Sequence, residues 1–275
     1  MLDFCTGTGC IPLLFHNEFY KHAQLNHNEL DIKGYDISQG ALELAKENHI
    51  RQLERAGSHP SWNGKSSAQR HKSLRNIEFW HYDVLADRAN LSENGNHAGD
   101  RKHSTSWATK ADGLSAWNTQ HVFRRCDILI SNPPYVSPAE YKRHTARSVR
   151  QFEPKLALVP PHLARQGHNT EFAVKDDGDV FYPHLLDLAE KTSAEVALLE
   201  VAGLEQAKRV AAMVARRLSR DVKVEIWRDE PSRASVEENI VVHGRRVAIV
   251  GEGNGRSVVI WRRDGDFAAP SAIRS

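Results

Sequence analysis

A chain of 275 residues is enough for one large domain or two small ones, and an apolar content of 40% with a mean hydropathy of −0.55 describes a core diluted by polar stretches. The balance of 37 Lys and Arg against 35 Asp and Glu argues against a protein that holds long nucleic acids by their phosphates, and favours small or protein substrates. Cys5, Cys10 and Cys126 lack C-x-x-C spacing and the histidines lack H-E-x-x-H, which argues against a disulfide framework and a zinc site, and no apolar run reaches the roughly 18 residues of a membrane span.

Residues 1 to 5 have the pattern of the last part of a buried strand, followed by the turn Thr6-Gly7-Thr8-Gly9. Ile11, Leu13, Leu14, Phe15 and Phe19 then mark a helix over 10 to 23. Leu30 to Tyr35 predict a second strand ending at Asp36, and Ser38 an N-cap for a helix to about residue 55. Residues 57 to 75 predict a loop, and Ile77 to Tyr82 a third strand with Asp83 just past it. Residues 87 to 121, rich in Asn, Ser, Thr, Gly and His, are expected to be a disordered surface insertion. Cys126 to Ile130 form a continuous apolar run, as in a parallel strand covered on both faces, and lead into Ser131-Asn132-Pro133-Pro134-Tyr135. Partial helix is expected over 138 to 150. Helices follow at Asp179 to Lys191 and Leu204 to Leu218, and strands at Ala194 to Val201 and Val222 to Trp227. Residues 230 to 245 suggest another loop insertion, and Val258 to Trp261 a closing strand paired with Val247 to Val250. The alternation implies an α/β fold with a mostly parallel sheet and an antiparallel edge hairpin.

Three places carry chemistry. The turn at Gly7 and Gly9 follows a strand and opens a helix, so backbone N–H groups face a ligand carboxylate while Asp3 accepts from a ligand ammonium. An ordinary strand-to-helix turn is the plain alternative. Asp36, at the second strand's end, can accept from two ribose hydroxyls, and Asp83 from an adenine amino group; a helix-end carboxylate and a loop aspartate are the plain readings. The third and most specific place is Asn132-Pro133-Pro134-Tyr135. Methylating a planar nitrogen requires its delocalised lone pair to be aimed at an electrophile. The Asn132 side-chain oxygen and the Pro133 carbonyl can each accept one N–H of an NH2 group. Pro133 and Pro134 stiffen the backbone and remove competing donors, and Tyr135 offers a face for stacking. Such a site works by positioning, with no nucleophilic residue and no metal.

The glycine turn, the acidic second-strand end and Asn132 to Tyr135 together resemble the class I N-methyltransferases. More narrowly, Ser131 to Tyr135 with Phe152-Glu153-Pro154 and Ala157-Leu158, then Leu198-Leu199-Glu200, Gly203 and Gln206, resemble the HemK/PrmC-type release-factor glutamine methyltransferases. The resemblance covers most of the chain outside the three polar insertions, which look like those of fungal members. It implies a Rossmann-like class I fold, one methyltransferase domain over 1 to 275, S-adenosylmethionine as cofactor, and as acceptor the glutamine amide of a release factor's Gly-Gly-Gln loop. On this reading Asp3, Thr6, Gly7, Gly9, Asp36 and Asp83 surround the cofactor. Asn132, counted also with the cofactor residues, begins the acceptor motif that ends at Tyr135. Phe152 and Glu153 are expected to support that loop from behind.

Cys5 stands where the family has the first glycine of the turn, so this turn must tolerate a Cβ. The family's N-terminal helical domain is expected to be absent. With no signal or transit peptide, Met1 runs directly into the motif, and the chain is expected to begin inside a longer ancestral protein. The resemblance suggests mitochondria, with the cytoplasm as alternative, and no membrane partner. Lys142, Arg143, Arg147 and Arg150 form a basic cluster, read as a solvated helix face ahead of a ribosomal or RNA contact. Two rivals stand beside this reading: a nucleic-acid adenine N6-methyltransferase, for which a target-recognition domain is missing, and a truncated paralogue without turnover.

Overall fold

In the computed structural model, residues 1–21, 28–58, 67–86, 123–161, 176–219, 221–233 and 238–262 are described. The chain alternates strands and helices: β1 (Leu2–Phe4), α1 (Cys10–Phe19), β2 (Ile32–Asp36), α2 (Gln39–Ser58), α3 (Ser67–Arg75), β3 (Ile77–His81), β4 (Ile128–Ser131), α4 (Pro138–His144), α5 (Arg147–Phe152), α6 (Phe181–Lys191), β5 (Val196–Glu200), α7 (Leu204–Arg217), β6 (Val222–Glu230), β7 (Glu238–Val242), β8 (Arg245–Val250) and β9 (Glu252–Arg262). The strands form one sheet in the order β3-β2-β1-β4-β5-β9-β6-β8-β7. The first five are parallel, and β9 runs antiparallel between β5 and β6. This is the α/β, Rossmann-like arrangement expected from the sequence, with a mostly parallel sheet.

Burial explains the strands. Leu2, Asp3 and Phe4 are all inaccessible, as expected of a central parallel strand covered on both faces. One core cluster joins the sheet to α6 and α7 through residues such as Leu129, Tyr182, Leu185, Leu199 and Val210. The other packs Leu13, Leu42 and Ala45 from α1 and α2 against Ile32, Ile77 and Phe79. Connections from β1 lead outward to β2 and β3, whereas β4 and β5 lie on the other side, so the sheet reverses direction between β1 and β4. Ligands in open sheets of this kind bind in the crevice beyond the carboxyl ends of strands at such a reversal.

Three expectations are corrected. Residues 67 to 75, expected within a loop, form α3. Their apolar period is weak; the helix is held by polar contacts, with His16 Nε2 3.0 Å from the Arg70 carbonyl and the Tyr20 hydroxyl 2.6 Å from Ser73 Oγ. Residues 238 to 242, expected within a loop insertion, form β7. It makes a hairpin with β8 through His243 and Gly244, whose φ values of 48° and 74° suit a two-residue turn. Finally, β8 does not pair with β9: β6 lies between them, parallel to β8 and antiparallel to β9, so the edge hairpin is β7–β8. The expected insertion at 87 to 121 lies outside the described residues, as does most of the remainder of the 57 to 75 segment.

Candidate active site

The carboxyl ends of β1, β2 and β4 meet at the reversal point. Within β1, one residue before its end, Asp3 is fully buried and neither carboxylate oxygen makes a hydrogen bond. Burial pushes its pKa up to about 7; the nearby Thr6 hydroxyl offsets this in part without a well-formed bond, and Asp36 adds to it. A buried acceptor with no donor is costly unless a ligand supplies one. The Thr6 hydroxyl is likewise buried and unpaired. These orphaned atoms suit a ligand that brings hydrogen-bond donors, such as an ammonium group.

The turn that follows is tied from several sides. Thr6 N–H donates to the Tyr35 carbonyl at 2.9 Å, and Gly9 N–H to the Thr6 carbonyl at 3.0 Å. Cys5, Gly7 and Gly9 all take positive φ, at 61°, 56° and 76°. A Cβ on Gly7 would meet nothing within 4 Å, so that face of the turn is open to a ligand. Cys5 therefore fills the position of the missing glycine in a left-handed conformation that costs about 1–2 kcal/mol for an L-residue. Burial and the neighbouring carboxylates, Asp36 foremost, push its thiol well above the ordinary range, which leaves it no role as a thiolate. Gly9 is constrained differently, because a Cβ there would lie 2.8 Å from the Phe79 ring. Gly9→Ala is expected to cost about 2–4 kcal/mol, from the left-handed backbone and the overpacking together. A lowered denaturant midpoint checks this, and an unchanged midpoint would show that the Phe79 ring yields freely.

Asp36 does more than was expected of it. Its Oδ2 accepts from Gly7 N–H and its Oδ1 from Ser38 N–H, each at 2.8 Å. It thus pins the glycine turn to the end of β2, while each oxygen keeps a second lone pair directed to solvent or ligand. Ser38 caps α2, accepting from Ala41 N–H at 3.3 Å. Asp83 closes a local turn by accepting from Leu85 N–H at 2.9 Å. Phe4, Tyr35, Tyr82 and Phe123 form an aromatic group with ring centroids 5.1–6.0 Å apart.

At the end of β4, the buried Ser131 hydroxyl donates to the Phe4 carbonyl at 2.8 Å, which sets the acceptor motif beside β1. Pro133 and Pro134 are buried, whereas Asn132 is exposed and its amide bonds to no described residue. Asn132 is therefore free to engage a ligand. The Tyr135 hydroxyl donates to Glu200 Oε1 at 3.2 Å, and the Tyr135 carbonyl accepts from Gln206 Nε2 at 3.1 Å. Val136 N–H donates to the Leu158 carbonyl at 2.9 Å. That backbone bond is what supports the loop from the Phe152–Leu158 side. Phe152 itself is 79% exposed and Glu153 is also exposed, so the expectation that their side chains back the loop is corrected. Both residues end α5 and turn outward before the short 3-10 turn at Lys155–Ala157. The basic residues Lys142, Arg143, Arg147 and Arg150 are all exposed on α4 and α5, as expected for a solvated face. Among the described residues no group of acidic, His and Cys side chains has the arrangement of a metal site.

The roles of Glu200 and Gln206 were not anticipated from sequence. The available signal was a glutamine on the apolar face of α7, which is otherwise formed by Ala207, Val210, Ala211 and Val214.

No family model matches the chain. Several curated proteins do resemble it. One is the "Probable MRF1 mitochondrial N(5)-glutamine methyltransferase mtq1" of Schizosaccharomyces pombe, 27% identical over 215 residues, or 78% of this chain and 51% of that protein. A second is a release factor glutamine methyltransferase of Chlorobaculum tepidum, 46% identical over 19% of this chain and 17% of that protein. A third is a ribosomal protein uL3 glutamine methyltransferase of Xylella fastidiosa, 27% identical over 57% of this chain and 30% of that protein. The chain thus spans about half the length of the first of these and less of the other two.

Proposed function

We propose that this chain, a relative of the HemK/PrmC-type glutamine methyltransferases, methylates the side-chain amide nitrogen of a protein glutamine, that of a release factor's Gly-Gly-Gln loop. The observation that carries this reading is an exposed, uncommitted Asn132 amide beside two buried prolines and a tethered Tyr135, all at the reversal point of the sheet. S-adenosylmethionine, when bound, supplies an electrophilic methyl group. Asp3 and Thr6 would hold its amino end, the α1 N-terminus its carboxylate, Asp36 its ribose and Asp83 its adenine. The Asn132 oxygen and the Pro133 carbonyl each accept one N–H of the glutamine amide, and the Tyr135 ring stacks on its plane. The nitrogen lone pair is thereby held toward the cofactor side of the site, where transfer would break the sulfonium S–C bond and release S-adenosylhomocysteine as the N–C bond forms and the amide gives one proton to solvent. These residues contribute orientation and a fixed electrostatic environment.

The fungal relative's mitochondrial name supports an organellar release factor as substrate and the mitochondrion as location. Among the described residues no helix is long and apolar enough to cross a membrane. The uL3 enzyme raises a ribosomal protein as the alternative acceptor. The test is transfer of a labelled methyl group to a purified organellar release factor, beside a copy whose Gly-Gly-Gln glutamine is alanine. Label on the first alone is the expected result. Label on both, or on uL3 only, would overturn the release-factor assignment.

A further inference from the structure

Tyr135 is gripped at both ends by residues that flank one connection, Glu200 at the end of β5 and Gln206 in the first turn of α7. At the ring end its hydroxyl donates to Glu200 Oε1 at 3.2 Å. Glu200 is itself anchored, since its backbone carbonyl accepts from the buried Tyr182 hydroxyl at 2.9 Å. At the backbone end, Gln206 Nε2 donates to the Tyr135 carbonyl at 3.1 Å. The same nitrogen lies 3.1 Å from the Gly178 carbonyl and 3.0 Å from Asp179 Oδ1, so its two hydrogens serve three oxygens. Gln206 Oε1 in turn accepts from Ala202 N–H at 2.7 Å. Asp179, fully buried, is forked by Arg209 at 2.6 and 2.9 Å. Gly178 stands against the same carbonyl: a Cβ there would sit 2.3 Å from the Tyr135 oxygen and 3.2 Å from Gln206 Nε2, so the absence of a side chain lets the two segments approach. Residues of β5, of α7 and of the turn before α6 thus converge on one tyrosine.

We propose that Glu200 and Gln206 are positioning residues that fix the plane of the Tyr135 ring, and with it the orientation of the acceptor amide stacked on that ring. The inference rests on the acceptor reading of Asn132 to Tyr135. A buried polar network that is fully satisfied resists distortion, because each broken bond strands another group away from water. Such stiffness matters where the reacting nitrogen must point within a narrow cone.

The test uses the whole chain and two readouts. In methyl transfer, Glu200→Leu removes the acceptor of the Tyr135 hydroxyl and is expected to lower kcat roughly ten- to a hundredfold while S-adenosylmethionine affinity changes less than about twofold. Glu200→Gln keeps an acceptor oxygen and is expected to restore kcat to within about threefold of wild type. If Glu200 acts only through the Tyr135 hydroxyl, adding Glu200→Leu to Tyr135→Phe lowers kcat no further than Tyr135→Phe alone. Additive losses would overturn the inference.

The second readout needs no acceptor. In protein with 13C-labelled tyrosine rings, the Tyr135 signal is the one missing from Tyr135→Phe. It is expected to shift and average in Glu200→Leu, in Gln206→Ala and in Gly178→Ala. An unmoved signal in these variants would overturn the inference whatever the activity. A signal that shifts as expected in a chain that methylates neither release factor nor uL3 would leave the positioning intact and remove the acceptor reading alone.

Discussion

Replacing Asp3 with Asn is expected to raise the melting temperature of the ligand-free protein at pH 8 while weakening S-adenosylmethionine binding at least about tenfold. The two effects have one cause. Asp3 is completely buried with no hydrogen bond to either oxygen, and its pKa stands at about 7 against an ordinary 3.8. Because the folded-state value is raised, the native protein holds this proton more tightly than the unfolded chain does. The contribution of Asp3 to stability is therefore greatest below about pH 4, falls as pH rises through the interval from 3.8 to about 7, and stays low above it. The full penalty is roughly 4 kcal/mol, since each tenfold change in proton affinity is worth about 1.4 kcal/mol. An asparagine stays neutral throughout but leaves its own amide unpaired, at about 1–3 kcal/mol, so the net gain in the ligand-free protein is about 1–3 kcal/mol.

With the cofactor placed as proposed, the same substitution would remove a charge-assisted bond to the ligand ammonium, worth about 1.5–3 kcal/mol, which converts to at least about tenfold in affinity. The pH dependence separates the two states. Cofactor affinity in the wild type is expected to fall as pH drops below about 7, because a protonated Asp3 no longer attracts the ammonium. In Asp3→Asn that dependence is expected to flatten between pH 6 and 8. Calorimetric titration and thermal melts across this range decide it. Unchanged affinity in the variant, or a variant that melts lower at pH 8, would show that Asp3 is satisfied within the protein.

The second large effect is expected at Asn132. Asn132→Ala should lower the rate of methyl transfer by about 10²–10³, the usual cost of losing one preorganised polar group at a reacting centre. Its side chain is exposed and bonds to no described residue, so the fold should be affected by less than about 0.5 kcal/mol. Cofactor affinity should stay within about threefold of wild type, because Asp3, Thr6 and Asp36 remain in place. Single-turnover transfer with labelled cofactor, beside equilibrium binding, separates the steps. Turnover that is unchanged, or binding that is lost, would move Asn132 out of the acceptor role.

The sequence alone determined the alternation of strands and helices, because apolar runs such as Ile128–Leu129–Ile130 have only one economical place, between layers. It also determined the glycine turn, the acidic ends of β1 and β2, and the Asn132 to Tyr135 motif, since each depends on a short stretch whose chemistry is local. Tertiary structure decided what depends on distant partners. Residues 67 to 75 are a helix because His16, Tyr20 and Glu29 hold them, not because of their own periodicity. The β7 strand exists because β8 offers it an edge, and β9 lies between β5 and β6, where it pairs antiparallel with both. Asp36 pins Gly7, Phe152 faces solvent, and Gln206 reaches the Tyr135 carbonyl 71 residues away along the chain. A hydrogen-bond partner or an exposure is a property of two surfaces brought together, and no window of sequence contains both.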